Sequence, residues 1–320
     1  MPTGRQLHID AAMSNLMVAT FNTSGDFVAS RLFPPVPVGK RSDKYYTLRK
    51  ESWLQLPDSH RAPKARANKV EFDISSDGYY CLNFALAADI PLEDLANADN
   101  ALNLRASNTQ LISTQLLRGM EARVAAKVKA NVSSTLLNTG ANAWDAVGSA
   151  DIISQVADAQ QSIFNNTGLR GNTLVLDYQS YMYAKRNKLA FEQFKYRASG
   201  PVILEDAQLK EMFMVDNLWV AQSQKNNANM AQTASITSIW GPTALLCRVE
   251  QAISLQTATY GLGMRWTDPE LGQQMTVTTA REDGAGSRHV EVLEAGYYQD
   301  EKVISSDLAF LINTKSGTPW

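Results

Sequence analysis

Asp300 and Glu301 are adjacent carboxylates, and His289 stands two residues before Glu291 in the run RHVEV. Two neighbouring acids can divide general-acid and general-base work, and a histidine beside a carboxylate can relay a proton. Neither pair has a nucleophile at motif spacing. The first therefore reads as solvated turn carboxylates and the second as a surface pair. Gly261 and Gly263 in YGLGMRW lack the third glycine and the following helix of a dinucleotide loop, and read as a strand kink. There is no GxSxG elbow and no Walker-type phosphate loop. Cys81 and Cys247 form no CxxC pair and read as reduced, half-buried thiols. His8, His60 and His289 are too far apart in the chain to suggest a shared metal. The tryptophans are scattered and give single-stranded nucleic acid no stacking platform. The expectation is a protein without catalysis, cofactor or metal.

The totals limit the alternatives. A chain of 320 residues with 44% hydrophobic content can bury a real core. Its net charge of -2 argues against general clamping of nucleic acid. No uncharged run approaches the length that spans a bilayer, and the N-terminus does not read as a signal peptide, so a soluble, cytoplasmically made protein is expected. An α/β enzyme built on residues 150–250 would need clustered titratable side chains, which this sequence does not display.

The charge is unevenly placed. Residues 40–69 carry nine basic side chains and three acidic ones; residues 71–99 carry seven acidic side chains and no basic ones. The basic stretch includes Arg61, Lys64, Arg66 and Lys69, and the acidic one includes Glu93, Asp94 and Asp99. These are either solvated faces or a positive tip of one copy seated on the acidic region of another. Rim charges of this kind steer and register partners more than they hold them.

Those charges sit on recognisable elements. Residues 1–39 read as an irregular arm with at most a helical turn in DAAMSNLMVATF, closed by Pro34, Pro35 and Pro37 in extended backbone. Two strands follow: Lys44–Arg49, then a strand from Asn68 in which Val70, Phe72 and Ile74 alternate with polar residues. Asp77-Gly78 marks a turn or bulge, and YYCLNFAL resumes as strand. Pro91, with Glu93 and Asp94 behind it, suits a helix start. Leu95, Leu102, Leu116, Met120, Val124 and Val128 recur on one side of a long helix to about Val132, with Gly119 and residues 105–109 as possible bends. Residues 133–150 read as a polar domain boundary. An α/β region then places helices at 152–164, 179–188 and 206–215, strands at TLVLD, LWVAQS and TALLCRVE, and a polar loop at 224–235. TYGLGMRW, QQMTVTTA, RHVEVLEAGYY and DLAFLI are strand-like. The arm and the two-stranded projection hold too little apolar content to bury themselves, which suits identical copies that supply the missing contacts.

The succession FPPVPVGKRSDKYYTL, RAPKARAN and SSDGYYCLNFALAADIPLEDLANADN resembles the major capsid proteins of tailed bacteriophages with the Hong Kong 97-like fold. TLVLDYQSYMYAKRNKLAFEQFKY and IWGPTALLCRV extend the resemblance over nearly the whole chain, in the family's order. It implies an α+β fold with an N-terminal arm (1–39), an extended loop (40–88), a peripheral domain with a long spine helix (89–145 and 255–320) and an α/β axial domain (146–254).

The implied role is structural. Many copies would form the hexamers and pentamers of an icosahedral head around double-stranded DNA, without sequence-specific binding and without a membrane. A portal protein, a separate scaffolding protein and a decoration protein are the implied partners, and the implied location is the virion, after assembly in the host cytoplasm. The expected inter-subunit contacts are Tyr45, Tyr46, Trp53, Arg61, Lys64, Arg66, Lys69, Phe72, Glu93, Asp94 and Asp99, with Tyr80 beside them. No partner asparagine is identifiable for a lysine cross-link. An encapsulin-like nanocompartment shell is the alternative on the same fold.

Overall fold

The computed structural model of the chain describes residues 8–9, 11–23, 25–48, 54–56, 58–61, 66–69, 74–97, 104–195, 204–229, 232–251, 257–267, 275–282 and 290–317. Two sheets share one long helix as a common wall.

The first sheet has five strands in the order β6-β15-β11-β7-β8: β6 (Ser134–Leu137), β15 (Ala309–Asn313), β11 (Thr243–Cys247), β7 (Thr173–Asp177) and β8 (Asn217–Ala221). Continuous apolar runs form its centre, because both faces are covered. Alternate residues divide between the faces. Leu174, Leu176, Ala244, Leu246 and Ile312 pack under the helices Ile152–Thr167 and Asp206–Phe213. Val175, Leu245, Leu311 and Ala309 face Met120, Val124 and Val128 of the long helix, Leu104–Asn131.

The ends of the covering helices are locally encoded. Asp151 accepts from the Ser154 amide at 3.1 Å, and Gly168, at φ 71°, closes the same helix in the left-handed region. The helix predicted at 179–188 is two helices, Tyr178–Arg186 and Lys188–Lys195. Buried Asn187 parts them: its side-chain oxygen takes the Ala190 amide, and its nitrogen donates to the Ala150 carbonyl.

The second sheet is organised by the fourteen-residue β14 (Val290–Val303). β13 (Met275–Glu282) and β12 (Gly261–Trp266) share one of its edges end to end, and β5 (Leu82–Pro91) takes the other. β1 (His8–Ile9) adds to β13, and β2 (Pro35–Val38) runs parallel to β12. Leu293, Ala295, Tyr297, Met275 and Val277 pack on Ile112, Leu116 and Leu117, on the N-terminal half of the long helix. The apolar side chains of the same helix thus serve one sheet from its first half and the other from its second, and the helix runs unbroken through Gly119 and residues 105–109.

Several expectations are corrected. Over its described residues the arm is not irregular and packs within its own chain. Ala11–Thr23 is a helix, and Met17, Phe27, Val28, Leu32 and Phe33 are buried against the long helix and both sheets. Residues 133–150, though polar, contribute a strand and a buried side chain to the packed body. β6 pairs with β15, and Trp144 is fully buried, stacked on Phe213 and bonded to Gln155. Asp77-Gly78 is not a turn but mid-strand in β4 (Ile74–Tyr80). Pro91 ends β5, so the helix Leu92–Asn97 begins one residue later. The polar loop at 224–235 begins a small ribbon, β9 (Gln224–Asn226) with β10 (Ile236–Ser238). Cys81 and Cys247 are free and fully buried, not half-buried.

Asp300 and Glu301 lie inside β14, and Glu301 is 2% exposed. Arg123 bonds Glu301 at 3.1 Å and the Tyr297 hydroxyl at 2.9 Å. Lys127 pairs with Asp300 at 3.3 Å and reaches the Glu301 backbone carbonyl. The adjacent acids are therefore a bolt between strand and helix rather than turn carboxylates.

Gly261 and Gly263 have a packing reason. A Cβ on Gly261 would lie 2.5 Å from the ring of Phe33, which is buried and edge-on to Tyr260 at 5.8 Å. Gly261→Ala is expected to lower unfolding free energy by about 1–3 kcal/mol, measured as a shift in urea midpoint. Phe33→Leu in the same chain should recover part of that loss.

Candidate assembly surface

The projection is rooted at Cys81, the single residue between β4 and β5. Its thiol donates to the Met264 carbonyl at 3.3 Å and packs with Tyr79 and Leu262. Burial pushes this thiol's pKa up, which keeps it protonated and unreactive. Arg41 exchanges bonds with the Cys81 backbone and lies over the rings of Tyr80 and Tyr298, at 5.1 and 5.3 Å. The Tyr80 amide donates to Asp300 at 3.1 Å, so the β14 bolt also fixes where the projection leaves the body.

The shaft is a two-stranded ribbon. β3 (Ser42–Leu48) pairs with β4 from Ser42↔Tyr80 to Leu48↔Ile74. Tyr45 crosses it to Asp77 at 3.0 Å, and the Gly78 amide and Tyr45 hydroxyl together lower the Asp77 pKa. No third strand joins the pair among the described residues. A bare ribbon of this kind is marginal in water. Tyr46, Tyr80, Leu82 and Leu86 nevertheless remain exposed along the ribbon and its continuation.

Past the shaft, Leu56 is 96% exposed. Leu54 comes within 3.4 Å of the Cβ position of Gly168 but stays 54% exposed. The projection therefore rests on its own body at that point without being covered by it. Arg61, Arg66 and Lys69 are exposed, as are Glu93 and Asp94 in the first turn of Leu92–Asn97. Arg66, Lys69, Glu93 and Asp94 form no ion pair with another described residue. Trp53, Lys64, Phe72 and Asp99 lie outside the described residues.

Sequence reasoning missed Leu54, Leu56, Leu82 and Leu86. The first two could have been found as apolar side chains beside Trp53 in SWLQLPDSH, between charged stretches; the others were absorbed into a strand pattern. Their geometry supports burial against another macromolecule and offers no reacting group. Among the described residues there is no cluster of three or more potential metal ligands, and no helix is long and apolar enough to cross a membrane.

No family model matches the chain. The major capsid protein of Pseudomonas phage JBD67 is 25% identical over 308 residues, covering 94% of this chain and 95% of that protein. The crystal structure of a phage-related protein from Bordetella bronchiseptica RB50 superposes with a TM-score of 0.73 at 19% identity, over 99% of each chain. The capsid structure of cyanophage P-SCSP1u gives 0.58 at 11% identity, over 89% of this chain and 87% of that one. The fold is that of a phage capsid subunit.

Proposed function

We propose that this chain is the major capsid protein of a tailed phage, one of many identical subunits that close into an icosahedral head around double-stranded DNA. The observation that carries this is the uncovered projection. A ribbon and loop with exposed Tyr46, Leu56, Tyr80 and Leu82 stand on a body that has its own buried core. Obligate interfaces bury on the order of 2,000–5,000 Å², and this surface supplies both the apolar centre and the charged rim of such a contact. The relative from Pseudomonas phage JBD67 matches over 94% of this chain and supports the same role.

The finer assignments belong to the same proposal. The projection is the extended loop, residues 40–88, laid over a neighbouring subunit. Residues 89–145 and 255–320 form the peripheral domain and 146–254 the axial domain, with β6 and β15 tying the two together through the shared sheet. Tyr45, Tyr46, Trp53, Arg61, Lys64, Arg66, Lys69 and Phe72 face the neighbour, whose Glu93, Asp94 and Asp99 receive the basic tip. The role is structural, with no reaction. A portal, a scaffolding protein and a decoration protein are its partners, and assembly takes place in the host cytoplasm before the virion is complete. No observation favours a nanocompartment shell over a phage head.

Size-exclusion chromatography with light scattering, followed by negative-stain microscopy, tests the proposal. Capsomers or megadalton shells are expected from the expressed chain, with or without its genomic neighbours. A monodisperse small oligomer under both conditions would overturn it.

A further inference from the structure

Glu121 sits near the middle of the long helix, where the helix passes from one sheet to the other, and its side chain is fully buried. Its carboxylate accepts from the backbone amides of Val28 at 3.2 Å and Ala29 at 2.8 Å, and from the Trp240 indole at 2.5 Å. The donors come from two distant segments: the arm, about ninety residues upstream, and the loop before β11, well over a hundred residues downstream. Val28 and Ala29 stand at the start of the short helix Ala29–Leu32, where backbone amides have no helical acceptor of their own.

No cation neutralises this carboxylate among the described residues. On the arm, Asp26 and Arg31 are exposed. On the long helix, Arg118 bonds Gln115, Arg123 and Lys127 are committed to Glu301 and Asp300, and part-buried Lys129 lies beside Gly241 and interacts with Asp177. Residues 239–242 carry no titratable side chain, and the exit of β8 presents Gln222 and Ser223. Apolar burial of Val28, Ala29, Leu32 and Phe33 presses the arm onto the body without specifying one register. Three directed hydrogen bonds to one acceptor do specify it.

We propose that Glu121 is the positioning residue of the N-terminal arm, a clasp that fixes residues 26–33 against the long helix and Trp240 and that can open without loss of either sheet. Removing the acceptor orphans three buried donors at once, two of which belong to the strap itself. Burial raises the Glu121 pKa, so the closed strap keeps its proton to higher pH than an opened one, in which the group is hydrated. The sign follows: the clasp holds best at acid pH and weakens as pH rises through the pKa of the closed form.

Native-state hydrogen exchange on the full chain tests this, with wild type, Glu121→Leu and Val124→Ala compared. Val124→Ala trims the same buried face without touching the clasp. Glu121→Leu should speed exchange at Val28 and Ala29 about ten- to a hundredfold while β7 and β11 keep their protection. Val124→Ala should give no such selectivity. Wild-type protection of the two amides, corrected for intrinsic rate, should fall from pH 5 to pH 8. Unchanged protection in Glu121→Leu, or acceleration of every core amide alike, would overturn the proposal. If that variant does not fold, a pH-independent wild-type profile at Val28 and Ala29 would do the same.

Discussion

Charge reversal at Arg61, Lys64, Arg66 and Lys69 together should leave a folded chain that no longer makes shells. Residues 40–69 hold nine basic side chains and three acidic ones, against seven acidic and no basic side chains in residues 71–99. Arg66, Lys69, Glu93 and Asp94 find no ion-pair partner within the described chain. Each rim pair contributes only ~0–1 kcal/mol, but four reversals turn mild attraction into repulsion at every copy of the contact. Subunit association should weaken about a hundredfold or more. The helical circular-dichroism signal and thermal midpoint of the isolated chain should be unchanged, because Arg61, Arg66 and Lys69 are exposed and surface substitutions usually shift stability by less than about 0.5 kcal/mol. Light scattering and microscopy read the outcome, and the defect should deepen as salt is lowered. Normal particles from the fourfold variant would show that the loop docks by its apolar residues alone. Leu56→Asp would then be the variant that blocks assembly.

Glu301→Ala should be strongly damaging to the fold itself. The carboxylate is 2% exposed and joins β14 to the long helix through Arg123, with Lys127 at 3.5 Å. Removing one partner of a buried pair strands the other, which typically costs ~3–5 kcal/mol. Two facts lower the figure here. Lys127 is 36% exposed and keeps Asp300, and Arg123 keeps the Tyr297 hydroxyl. The expected loss is therefore about 2–4 kcal/mol, read from urea unfolding. Glu301→Gln, which retains an acceptor, should lose less. The effect should also reach the projection, because neighbouring Asp300 holds the Tyr80 amide at its root. A loss below about 0.5 kcal/mol, the range of ordinary surface substitutions, would mean that the bolt carries no weight.

These two predictions lie on different links between sequence and function. On the proposed function the loop charges act between molecules, and their reversal should leave no trace in the stability of one chain. The β14 bolt acts within the molecule and sets the angle at which the loop is presented.

Elements whose partners are implied by local pattern were legible in the amino-acid sequence. TLVLD, with the apolar run of a short buried strand, and the core of TALLCRVE, with that of a strong strand, are β7 and β11. The helix beginning at Ile152 follows from its capping aspartate, its apolar stripe and the glycine that stops it. The long helix, the strand character of YYCLNFAL and the charge contrast between the loop and the helix start were legible in the same way. Each depends on periodicity or end chemistry over a few turns, which a short stretch of chain contains in full.

Contacts between distant segments were decided by the tertiary structure alone. Asp300 and Glu301 look like turn acids until Arg123 and Lys127, more than 170 residues earlier, are laid beside them. Residues 133–150 look merely polar until Trp144 meets Gln155 and Phe213. The arm looks unable to bury itself until Glu121 supplies the acceptor for its amides and Gly261 makes room for Phe33. A sequence states which side chains seek burial or a counter-charge. Only the packed chain brings together the distant groups that satisfy them.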